Sequence, residues 1–202
     1  MCDIGVHYID AALYAVNNPK VKTVSATTFT KLANKQDCSI GNRGPVVGNH
    51  TYLPREDYDF HDFSVEDFAS GMVRFENGMQ MMIKFSWALN LPGSSSYKIV
   101  GDKAGLVYDK TGRYEHPISL YSSRDHILTD EVLEIPIAKK GAMRDVGHEM
   151  LIHHVVDVLQ NNVECMIKKD EMLNVVAIME AFYKSGELGR EVSMEELEHF
   201  TQ

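Results

Sequence analysis

Four polar side chains near the start of the chain, Asp3, His7, Asp10 and Tyr14, stand at i, i+4, i+7 and i+11. On an α-helix, at roughly 100° per residue, they fall within an arc of about 60°. Their neighbours are mostly apolar: Ile4, Val6, Ile9, Ala11, Ala12, Leu13, Ala15 and Val16. An ordinary surface helix has a wider polar face than this single stripe. Histidine is the side chain that accepts and returns a proton near neutrality, so His7 suits general acid–base work. Asp3, one turn earlier, lies within reach of the imidazole and can orient it and favour its charged form. Such a pair suits removal of a hydroxyl proton while a hydride leaves the same carbon. Spacing alone leaves two other readings open. One is a buried polar stripe satisfied by the neighbouring chain, and the other is a divalent metal held by the histidine and two carboxylates.

The elements that must position this stripe follow from periodicity. Helical spacing runs over Cys2–Val16 and stops at Asn17-Asn18-Pro19. Val21–Leu32 is rich in Val and Thr and reads as a strand. Residues 33–62 read as a long loop with Gly41, Gly44, Pro45, Gly48 and Pro54. Asp67–Glu76 and Met79–Leu89 flank Asn77-Gly78, a hairpin signal. A two-residue loop there sets Phe75 against Gln80, Val73 against Met82 and Met72 against Ile83. Neither face of that hairpin is then cleanly polar, which predicts cover on both faces, helices on one and a second copy of the sheet on the other. Further strands are expected at Tyr97–Val100, Gly105–Asp109, Ile118–Tyr121 and Val132–Ile137. Helices are expected from about Asp145 to Leu159 and from about Asp170 to Ser185, the second ended by Gly186 and Gly189. A helix, many strands and two helices make an α+β fold with a mainly antiparallel sheet.

Composition narrows the partners. With 29 acidic and 20 basic residues in 202, the formal net charge is -9, which disfavours nucleic acid and anionic membrane surfaces. Cys2, Cys38 and Cys165 lie far apart without a CxxC spacing, so neither a zinc site nor a disulfide framework is indicated. The absence of a signal-peptide pattern or a long apolar run makes the cytoplasm the expected location.

Asp3-Ile4-Gly5-Val6-His7-Tyr8-Ile9-Asp10 resembles the D-x-G-x-H-x-x-D signature of the Gfo/Idh/MocA oxidoreductases. Other blocks agree in order. Val65-Glu66-Asp67-Phe68-Ala69, Val73-Arg74-Phe75-Glu76-Asn77-Gly78 and Phe85-Ser86-Trp87 resemble the family's central hairpin. Gly101-Asp102-Lys103-Ala104-Gly105-Leu106 resembles its next strand turn. His148-Glu149 and Ala181 through Val192 resemble its closing helices. The resemblance implies a large, mainly antiparallel open β-sheet backed by helices on one face, of the glyceraldehyde-3-phosphate-dehydrogenase-like C-terminal type, often stacked into oligomers. It implies His7 as the acid/base and Asp3 as its partner at a sugar or polyol substrate, with Asp10 structural or on the substrate side. Trp87 and Asn90, ending the hairpin, fall near where such substrates sit.

The family's chemistry also needs NAD or NADP on a Rossmann domain, and this sequence holds no G-x-G-x-x-G and no Glu-Lys-Pro segment. Gly41-Asn42-Arg43-Gly44 follows no strand and opens no helix. Residues 1–202 are therefore expected to form a single substrate-binding and oligomerisation domain, a homodimer or tetramer through its sheet, inactive without a dinucleotide domain. The surface meeting that domain should carry apolar patches. A stand-alone sugar-binding or assembly module is the alternative, and a metal-dependent hydrolase using Asp3, His7 and Asp10 a third reading. His148-Glu149 with His153-His154 lacks the H-E-x-x-H spacing, and Ser94-Ser95-Ser96 has no base nearby in sequence.

Overall fold

Asn17 and Asn18 adopt positive φ angles of 62° and 46°, and with them the first helix turns into the first strand. The structure, a computed structural model, describes residues 1–35, 59–86, 95–109, 118–133 and 143–200. These form two compact units, Met1–Leu91 with Lys169–Gln202, and Pro92–Lys168.

The first unit contains α1 (Gly5–Ala15), β1 (Val21–Phe29), a 3-10 turn (Phe60–Asp62), β2 (Phe68–Phe75) and β3 (Gln80–Ser86). The sheet order is β3-β2-β1 and then a short closing strand near the end of the chain, all antiparallel. The register of the β2–β3 hairpin differs from the sequence expectation. Arg74 faces Gln80, Val73 faces Met81 and Met72 faces Met82. The loop has three residues, Glu76-Asn77-Gly78, closed by the Phe75 N–H donating to Met79 O at 3.0 Å, with Gly78 at φ 87°. A three-residue loop needs a left-handed residue in its last position, and glycine supplies it without strain.

One residue of slip moves every side chain of a strand to the other face. In the observed register Ala69, Val73, Phe75 and Ile83 share a buried face, while Ser70, Arg74, Gln80, Lys84 and Ser86 share the other with Phe68, Met72 and Met82. The change of register exchanges Met81 and Met82 between the faces and leaves Phe68, Met72 and Met82 on the face away from the core.

The second unit holds β4 (Ser96–Val100), β5 (Ala104–Asp109), β6 (Ile118–Arg124) and β7 (Ile127–Val132), a meander in chain order, and α2 (Met143–Asn161). Tyr97 and Tyr108 stack across β4 and β5 with centroids 5.9 Å apart. The β6–β7 hairpin was not expected. Asp125 and His126, at φ 53° and 65°, make a two-residue turn with both central residues left-handed, which matches strand twist. Residues 134–142, where the expected last strand was to end, lie outside the described residues. The architecture is thus α+β with antiparallel sheets, seen as two four-stranded sheets among the described residues.

The chain then returns to the first unit with α3 (Lys169–Leu188), β8 (Val192–Ser193) and α4 (Met194–Phe200). α3 runs past Gly186 and ends at Gly189, which sits at φ 66° and donates to Ser185 O at 2.9 Å. Gly186 instead lies close to β1, where a Cβ would stand 3.4 Å from Thr28 Oγ1. α3 lies over β1 and beside α1, so Phe182, Ile178, Ile9, Leu13, Val24 and Val73 form one buried core. Ser185 ties the helix to the sheet. It accepts from the Ala26 N–H at 2.8 Å and donates to Arg190 O at 2.6 Å, so its burial leaves no polar atom unpaired.

Candidate functional site

The α1 stripe is held from beneath. Ile9 and Leu13 are buried, and Gly5 lies so close to β3 that a Cβ would be 3.1 Å from Phe85 Cδ2 and 3.1 Å from Met1 Sδ. Tyr8 packs on the same Phe85 ring with centroids 5.9 Å apart. The glycine between Asp3 and His7 is thus a packing residue that lets the helix start approach the sheet.

The opposite face carries Asp3, His7, Asp10 and Tyr14, and all four are exposed, Tyr14 to 80%. Within this chain the stripe is exposed and no other part of the described chain covers it. Asp3 lies in a turn just before the helix, and the Val6 N–H donates to Met1 O at 3.0 Å, so this turn continues the helical path. Among the described residues the side chains of Asp3, His7 and Asp10 make no hydrogen bond or ion pair, which leaves them open to a ligand. Nor do three His, Cys, Asp or Glu side chains converge among the described residues as a metal-ligand set. Trp87 and Asn90 lie outside the described residues, as does Cys38.

Two histidines of α2 make local contacts. Glu149 and His153 pair one turn apart at 3.7 Å, and His154 Nε2 accepts from the Met166 N–H at 2.9 Å. No helix among the described residues is long and apolar enough to cross a membrane.

Two carboxylates, Glu66 and Asp67, stand out in the sequence only as part of the block Val65–Ala69. Asp67, 2% exposed, accepts the backbone N–H groups of Lys31, Leu32 and Ala33 on Oδ2 at 2.7, 2.6 and 3.0 Å. It fixes the chain where it leaves β1. Glu66 Oε1 accepts from the Tyr183 hydroxyl of α3 at 2.8 Å and from the nitrogen of Met1. Cys2 Sγ lies 3.5 Å from that hydroxyl. Burial pushes the Glu66 carboxyl up, but the hydrogen bonds from Met1 and Tyr183 outweigh it and hold the group below the usual carboxylate value. Burial, together with bonding to Cys2 and Glu66, pushes the Tyr183 phenol up, so it remains a donor. An acidic pair at the entry to a strand carries no periodic signal. Only its position beside the first turn of α1, a tertiary fact, gives it meaning.

Compared with known proteins, residues 1–107 match the C-terminal domain of the GFO/IDH/MocA family. The chain belongs to this family. It is 26% identical over 197 residues to the D-glucoside 3-dehydrogenase of Escherichia coli (strain K12), covering 96% of this chain and 48% of that protein. Its fold is that of levoglucosan dehydrogenase, solved with NADH (TM-score 0.65, 16% identity, 95% of this chain and 49% of that one). It is also that of the aldose-aldose oxidoreductase of Caulobacter crescentus, solved with glycerol (TM-score 0.60, 17% identity, 95% and 46%). The chain spans about half the length of the curated relative it matches.

Proposed function

We propose that this chain is the substrate-binding and oligomerisation part of an NAD(P)-dependent oxidoreductase acting on a hydroxyl-bearing carbon of a sugar or polyol, in the cytoplasm. The observation that carries this reading is the open Asp3–His7 stripe on a helix anchored in the core by Gly5, Ile9 and Leu13, in a chain of this family. His7 takes the proton of the substrate hydroxyl as the carbon is oxidised and returns it in the reverse direction. Asp3 stands one turn before His7 on the same exposed face, where it can orient the imidazole once substrate is bound, and Asp10 lies on that face to meet a neighbouring hydroxyl. A glucoside relative and a levoglucosan-dehydrogenase fold support a sugar as the substrate.

Among the described residues no strand, glycine-rich turn and helix follow one another as a pyrophosphate cradle requires, and this reading puts the hydride carrier on other residues. The chain supplies the proton step and the substrate surface.

The test has two parts. The coding DNA upstream of Met1 is read in all frames, and the longest polypeptide it encodes is assayed for NAD+ and NADP+ reduction with glucosides, aldoses and polyols. Turnover abolished by His7→Ala is the expected result. Sugar binding to the 202-residue chain with no turnover by the longest polypeptide would move the protein to the class of stand-alone binding modules.

A further inference from the structure

Asp3 stands outside α1, so the helix ladder alone does not fix it against His7. What fixes it is the contact made by the two residues before it. Met1 O accepts from Val6, the Met1 nitrogen donates to Glu66, and Cys2 Sγ meets the Tyr183 hydroxyl. The phenol donates to Glu66, and Cys2 Sγ lies 3.5 Å from the same oxygen. The result is a contact network of Cys2, Tyr183 and Glu66, with the Glu66 side chain 13% exposed. Its three members come from the start of the chain, from α3 and from the lead into β2. The Glu66 contact needs only an N–H at Met1, which an amine and a peptide nitrogen both supply.

We propose that Glu66 and Tyr183 are positioning residues for the acid–base stripe. Together they clamp the turn before α1 and so set Asp3 relative to His7. The inference rests on the reading of Asp3 and His7 as the working pair. Neither Glu66 nor Tyr183 touches the substrate; both act through residues 1–4. The neighbouring Asp67, by contrast, ties down the end of β1 and does not contribute to this clamp.

The test is amide hydrogen exchange by NMR on the 202-residue chain, for wild type, Tyr183→Phe, Glu66→Ala and Glu66→Gln. The phenylalanine and alanine variants are expected to speed exchange at Val6 and Ile9 about tenfold while Val24 and Val73, in the sheet core, keep their protection. Glutamine keeps the acceptor oxygen and is expected to stay within about threefold of wild type. Unchanged exchange at Val6 and Ile9, or an equal loss at Val24 and Val73, overturns the proposal, the latter by showing general loosening. Where the dehydrogenase assay gives turnover, Tyr183→Phe is expected to lower kcat about tenfold at constant KM, and a raised KM at constant kcat overturns it. Failure of the functional reading registers separately, as a His7→Ala enzyme that turns over like wild type.

Discussion

Phe182 of α3 occupies the space where a side chain on Gly71 of β2 would begin. A Cβ built on Gly71 would stand 2.6 Å from Phe182 Cζ, 2.6 Å from Ser25 O and 2.7 Å from Ala26 Cβ. The ring could tilt away, but the Ser25 carbonyl belongs to the β1 backbone. Gly71→Ala is therefore expected to lower stability by about 1–3 kcal/mol through overpacking. The urea midpoint should fall with the slope unchanged. A midpoint at the wild-type value would show that α3 does not seat on the sheet here.

Asp67 makes a second, polar anchor in the same unit. Asp67→Ala strips the acceptor from three backbone N–H groups at Lys31, Leu32 and Ala33, the last of these buried. The expected loss is about 3 kcal/mol, since hydrogen bonds to a charged group are the stronger kind and an orphaned donor keeps its desolvation cost. Asp67→Asn retains an acceptor oxygen and should lose less. Equal midpoints for the two variants would contradict this.

The elements themselves were legible where periodicity was long. α1, the first two hairpin strands and α3 fall where apolar spacing puts them, because burial of one face is written into every third or fourth residue of a helix and every second residue of a strand. Turn geometry was less legible. Asn77-Gly78 announces a hairpin but does not say whether Glu76 belongs to the loop, and that one residue decides which side of the sheet Met81 and Met82 take. Asp125-His126 carries no glycine, so a turn of two left-handed residues passed unmarked. Gly186 looked like a helix stop because sequence does not show that β1 passes close to it.

The candidate site was legible in part for a different reason. Asp3, His7 and Asp10 share a local stripe, and a family signature covers them. Glu66 and Tyr183 are joined only by the fold, being 117 residues apart in the chain.

The acid limb of stability should report on Glu66. Its carboxyl is held below its ordinary value despite burial, by hydrogen bonds from Met1 and Tyr183. A group with a lowered folded pKa contributes stability above its unfolded value, and that contribution is lost as pH falls through the folded value. The wild-type chain should therefore lose stability on acidification below the normal carboxylate range, and Glu66→Gln should lose less over the same window. Parallel stability–pH curves for the two proteins would assign the acid limb to other carboxylates.

The open face of the first sheet bears on assembly. Ser25, Thr27, Ser70, Met72, Met82 and Lys84 line a shallow hollow of about 530 Å³ there, with Met82 86% and Phe29 43% exposed. The face is polar at its margins, where Glu191 joins Arg74 and accepts from Thr23 Oγ1 at 2.5 Å. It is apolar along Phe29, Phe68, Met72 and Met82. Monomers seldom leave a contiguous apolar strip of this kind in water, and a second copy of the same face is the simplest cover, since an isologous contact places each strip on its equal. Met82→Glu sets two like charges into such a contact without touching the buried face of β3. Light scattering after size exclusion is expected to give a dimer or larger mass for the wild type and a smaller mass for Met82→Glu, with the far-ultraviolet circular dichroism unchanged. An oligomer that survives Met82→Glu and Phe29→Glu together would place the assembly contact on another surface.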